Sequence, residues 1–214
     1  MGIWVDSTII FIVLTNFMLL ASSRLAALVR GVALQGFTLG ALLLLTHSDN
    51  LTYRVWLLVV AAVGIKGIAF PMFLKRTLNN INVHREVEPY IGYSLSILIG
   101  IAGLLLSLWI GSRLPLPGPI VSTLAIPVAF STMLTGFFLI ISRKNALTQV
   151  IGYLAAENGI FVFGVTAVHS SSIWVELGIL LDVLVAVFVM GIAIHHINKE
   201  FESTDVDRFS SLKD

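Results

Sequence analysis

Along its length the chain alternates long apolar runs with short polar links. A helix needs roughly 20 apolar residues to cross the hydrocarbon of a bilayer. Seven runs meet that requirement: Ile3–Ala21, Ala26–Thr46, Thr52–Leu74, Pro89–Gly111, Pro119–Ile141, Ala146–Val168 and Ile173–His195. The pattern predicts an all-α integral membrane protein with seven transmembrane helices. It divides into a four-helix region over residues 1–118, a three-helix region over 119–197 and a water-soluble tail over 198–214. The first run lacks a basic leading segment and a small-residue cleavage site, and it carries Asp6, so it reads as a retained helix rather than a signal peptide.

Charge gives the expected orientation, because short cytoplasmic loops accumulate lysine and arginine. In the seven-helix arrangement Arg24, Arg30, Lys75, Arg76, Arg85, Arg143, Lys144, Lys199, Arg208 and Lys213 fall on one side, with only Arg54 and Arg113 opposite. The N-terminus is therefore expected outside and the C-terminal tail in the cytoplasm. Composition narrows the function classes. Charged residues make up 12% of the chain and the net charge is +1, which leaves no basic footprint for nucleic acid. Cysteine is absent, which excludes disulfides and cysteine-ligated iron–sulfur or nickel–iron centres on this chain.

The candidate chemistry lies in the charged residues, and one strongly polar amide, inside the apolar runs. Glu157 stands in the middle of the sixth run, Asp182 near the middle of the seventh, Lys66 in the third and Gln35 at the centre of the second. At 1.5 Å per residue, Glu157 is about 16 Å from one end of its helix and Asp182 about 14 Å from the opposite face, so both are expected near the midplane. Each such charge costs roughly 2.5–3.5 kcal/mol to insert, and intramembrane ionisable groups usually mark an ion path. Glu157, Asp182, Lys66 and Gln35 are therefore the expected proton or ion relay. The alternative is that they only bind the helices together. Pro71, five residues after Lys66, has no N–H for the Gly67 carbonyl and predicts a kink. Pro127 is expected to perturb the fifth helix.

Other polar positions have simpler readings. Gly36 and Gly40 follow Gln35 at the small-xxx-small spacing of a helix-packing face. His195 and His196 suit a helix C-terminus better than a metal site, Asp6 and Glu176 lie close to water, and Arg143-Lys144 reads as an orientation signal. A sparse repeat pairs Ser23-Arg24, Gln35 and His47-Ser48 with Ser142-Arg143, Glu157 and His169-Ser170. It would make the first three helices a degenerate copy of the last three.

Ser142-Arg143-Lys144-Asn145, Gln149, Gly152-Tyr153, Glu157-Asn158-Gly159, Val175-Glu176-Leu177-Gly178-Ile179 and Asp182 together resemble the hydrogenase-4 component E family. Asp205-Val206 and Leu212-Lys213 extend the likeness into the tail, and Lys66 and Pro71 carry it in the first half. The resemblance implies a subunit of a membrane-bound nickel–iron hydrogenase complex of the formate-hydrogenlyase type, in a bacterial or archaeal cytoplasmic membrane. It also implies that the last three helices are similar to the K-type subunit of respiratory complex I and to a subunit of multisubunit cation/proton antiporters. Glu157 then matches the first of two glutamates in adjacent helices, and Asp182 falls at the second, one methylene shorter. The resemblance implies no catalytic centre or cofactor on this chain. The nickel–iron centre and iron–sulfur clusters are expected in soluble hydrogenase partners, beside antiporter-like and quinone-site-type membrane subunits. A structural anchor, an antiporter subunit and a stand-alone transporter are the other readings.

Overall fold

A computed structural model describes residues 2–48, 53–81, 89–114 and 122–167, all within one compact unit spanning Met1–Ile179. The described elements are helices: α1 (Gly2–Ala21), α2 (Leu25–Thr46), α3 (Tyr53–Ala62), a π-helical segment (Val63–Ala69), α4 (Phe70–Ile81), α5 (Tyr93–Arg113), α6 (Ala125–Ser142) and α7 (Ala146–Ala167). The segment from α3 to α4 is one interrupted span, so six helices among the described residues are long and apolar enough to cross a membrane. They coincide with the first six predicted runs, and the chain is a multi-pass membrane protein. The seventh run, with Asp182 and the two histidines, lies outside the described residues, as does the tail. The proposed repeat, which needs that run, lies partly outside them.

Local chemistry sets the helix starts. The side-chain oxygen of Asn145 accepts the Leu147 N–H at 2.9 Å, capping the first turn of α7. In the turn before α6, Ser122 Oγ accepts the Leu124 N–H and its hydroxyl donates to Asp6 Oδ1 at 2.6 Å. Asp6 thereby ties the start of α1 to the start of α6. Pro127 does not kink its helix as expected. The helix begins at Ala125, so the proline sits in the first turn, where a missing N–H has no intrahelical acceptor to serve. Its ring packs against Gly111 at the end of α5.

The helices assemble around α2, which touches α1, α3, the π segment, α4 and α7. The tightest pair is α6 with α7, where Gly136, Gly152 and Gly159 bring the backbones together. A Cβ added to Gly159 would lie 2.7 Å from the Ala129 carbonyl oxygen, and one added to Gly136 would meet the Ala156 backbone. This is the small-residue contact by which apolar helices pack closely when burial from water cannot drive them together. Gly36 of α2 sits against the Lys66–Gly67 peptide and Gly40 against Val63, so the predicted packing face meets the π segment.

The interior is layered. At the end where α1 starts, Val5, Ile9, Ile12, Leu39, Leu42, Val55, Val59, Val128, Phe161 and Val162 form an apolar cluster. At the other end Arg143 is one of the largest fully buried side chains, 1% exposed. Its guanidinium donates to the Leu20 carbonyl at 3.0 Å and lies 4.5 Å from the centre of the Tyr93 ring. Arg143 is thus more than an orientation signal. It places a cation at the C-terminal carbonyls of α1, where the helix dipole and unfilled acceptors favour one. Between these layers lies a polar one.

Candidate functional site: a buried ion pair with an amide arm

Three of the four predicted relay residues lie within the described part, and the fold brings them to one level. Lys66, Gln35 and Glu157 each fall within about one residue of the centre of their spans, Val55–Leu78, Leu25–Thr46 and Ala146–Thr166. Lys66 Nζ donates to Glu157 Oε1 at 2.8 Å, an ion pair whose side chains are 3% and 2% exposed. The ammonium lies 5.5 Å from the centre of the Phe161 ring, one turn further along α7, which adds a cation–π contact. Asp182 lies outside the described residues.

The lysine reaches the pair from a π-helical segment. The Phe70 N–H bonds to the Ile65 carbonyl, five residues back rather than four. The wide register ends at Pro71, which has no N–H with which to extend it. The interruption is therefore spread over seven residues instead of being concentrated at the Gly67 carbonyl. An apolar run gives no sign of such a change, because its period is lost where every face is apolar.

From Lys66 a chain of hydrogen bonds crosses the bundle. Lys66 Nζ also donates to Asn158 Oδ1 at 3.4 Å, Asn158 Nδ2 to Gln35 Oε1 at 3.0 Å, and Gln35 Nε2 to Asn16 Oδ1 at 2.8 Å. Asn16 Nδ2 then donates to Thr132 Oγ1 at 2.8 Å, and that hydroxyl to the Val128 carbonyl at 2.7 Å. Every member is buried, and Gln35 and Thr132 are fully so. The chain joins α7 to α2, α1 and α6 through side chains. The sequence pattern does not single out Asn16 or Thr132, and Asn158 stands out in it only as part of a motif. The available signal was weak: an asparagine in an apolar run is polar enough to require a partner, but it has no charge to single it out. No group of three or more potential metal-binding side chains occurs among the described residues.

Known proteins place the chain among relatives of bacterial origin. It is 30% identical over 206 residues to the uncharacterized protein Rv0085 of Mycobacterium tuberculosis (strain ATCC 25618 / H37Rv), a match covering 95% of this chain and 93% of that protein. The chain belongs to the family of Rv0085. It is also similar to hydrogenase-4 component E of Escherichia coli (strain K12) and of Shigella flexneri, at 26% identity over 148 residues, 69% of this chain and 68% of each relative. No family model and no solved structure matches it. The distant likeness to hydrogenase-4 component E is in line with the resemblance carried by the motif residues, and the match to Rv0085 runs over nearly all of the chain.

Proposed function

We propose that this chain is a membrane subunit of a hydrogenase-type complex and contributes a buried, ionisable pair to proton or sodium translocation. The observation that carries this reading is the Lys66–Glu157 pair, buried near mid-depth at 2.8 Å. A carboxylate's hold on a proton depends on its distance from a cation. A movement that lengthens this contact favours protonation of Glu157, and its reversal releases the proton. Working one charge against 100 mV requires about 2.3 kcal/mol, within the reach of one such interaction inside a membrane. In this reading Glu157 carries the proton, Lys66 is its counter-ion, Asp182 is the relay partner on the following span and Gln35 belongs to the polar path that leaves the pair. Electron transfer, the nickel–iron centre and the iron–sulfur clusters reside in partner subunits. These are soluble hydrogenase subunits on the cytoplasmic side and antiporter-like and quinone-site-type subunits in the membrane. The similarity to hydrogenase-4 component E supports the partnership.

A second reading, a static anchor, is favoured by the arm's ending on a backbone carbonyl, that of Val128. The two separate on Glu157→Gln, which keeps shape and hydrogen bonding but cannot ionise, and on Asp182→Asn. In vesicles containing the complex, Glu157→Gln is expected to lose most ion translocation per assembled complex. If both variants assemble and translocate at the unmodified rate, the anchor reading holds and the relay is wrong.

A further inference from the structure

The chain from Lys66 to Thr132 has a fixed sense. An ammonium is donor only, so the Asn158 oxygen must face Lys66 and its amide nitrogen must point away. That nitrogen then demands the Gln35 oxygen, the Gln35 nitrogen demands the Asn16 oxygen, and the Asn16 nitrogen demands the Thr132 hydroxyl oxygen. The last hydroxyl spends its proton on the Val128 carbonyl, an acceptor that nothing can reverse. Three amide dipoles thus stand head to tail with their oxygens toward the cation, and hydrogen bonds in such a series reinforce one another. A primary amide neither holds nor releases a proton readily near neutral pH, and the far end is a peptide carbonyl rather than water or a carboxyl group.

We propose that Asn158, Gln35, Asn16 and Thr132 are positioning residues, an oriented arm that holds the Lys66 ammonium against Glu157 and carries no proton itself. This inference rests on the proposed role of the pair and changes the part played by Gln35, which orients the counter-ion instead of passing a proton along. The arm anchors Lys66 to α1 and α6 through side chains. Its oxygen-first sense is the one that favours a cation at its head.

The test uses the full chain in bilayers with ¹⁵N-lysine and ¹³C-glutamate, and solid-state NMR reads the Lys66 Nζ–Glu157 Cδ dipolar coupling, assigned by its loss in Lys66→Arg. Gln35→Leu is expected to weaken that coupling by about twofold or more, since it removes both central hydrogen bonds. Thr132→Val, similar in shape and therefore safest for folding, is expected to weaken it less. Gln35→Glu supplies a titratable group but when ionised cannot donate to Asn16, and in vesicles it is expected to translocate more slowly than the unmodified complex. An unchanged coupling in both Gln35→Leu and Thr132→Val overturns the arm, as does a Gln35→Glu complex that runs as fast as the original while Gln35→Leu is inactive. The coupling is read without transport. A weakened coupling in Gln35→Leu beside full transport in Glu157→Gln leaves the arm standing and removes the translocation reading.

Discussion

Lys66 and Glu157 were conspicuous in the sequence because a charge in an apolar run must be accounted for, yet their meeting was not legible. Ninety-one residues separate them, and only the packing of α7 beside α2 and the π segment against α2 brings them together. Once paired, each depends on the other more than the fold depends on the pair. Removing one partner of a buried ion pair costs about 3–5 kcal/mol, whereas replacing both is often close to neutral. Lys66→Met alone is therefore expected to lower the thermal unfolding temperature sharply, and Lys66→Met with Glu157→Gln to recover much of the loss. Unfolding of the three proteins in one detergent checks this, and equal losses in the single and double variants would show that the carboxylate does not depend on the ammonium. Asn16 and Thr132 illustrate the opposite limit of legibility. Their importance comes wholly from what they touch, and neither residue type stands out in a membrane helix.

At the level of elements, six spans were readable because length and apolarity define a membrane helix with little help from tertiary context. Interruptions were less readable. Pro127 is expected from the sequence to perturb its helix because the apolar run containing it begins at Pro119, whereas the helix itself starts at Ala125. Arg143 was counted as a charge on one side of the membrane, and such counting does not register that it binds the end of α1. The glycine face of α2 was legible from spacing, and its contact with the π segment makes a sharp prediction. A Cβ at Gly36 would lie 2.6 Å from the Gly67 nitrogen, and a helix backbone has no rotamer with which to yield. Gly36→Ala is expected to destabilise by about 1–3 kcal/mol, as overpacking does. Gly64→Ala, on the same π segment but with nothing within 4 Å of the new atom, is expected to be neutral or slightly stabilising. Parallel thermal melts of the two variants decide, and equal effects would show that the α2 contact does not constrain the segment.

At the scale of the molecule, α5 is the least enclosed of the described spans, with Leu95, Leu98, Leu105 and Trp109 all exposed, while α7 is the most deeply buried of them. The orientation proposed from lysine and arginine counts can be read directly, because the absence of cysteine makes single-site labelling clean. Ser112 and Lys144 are exposed near opposite ends of the bundle. Ser112→Cys is expected to react with an impermeant maleimide on intact cells, and Lys144→Cys only after permeabilisation. The reverse result would invert the topology. The π segment has one more consequence, for ancestry. A ring closed over five residues instead of four holds one residue more, so Val63–Ala69 has the register that a one-residue insertion would give an α-helix. Relatives aligned across this span should divide into those with the extra residue and those one residue shorter. In the shorter ones the segment would be plain α-helix, and a residue at the level of Lys66 would be turned about 100° away from Glu157.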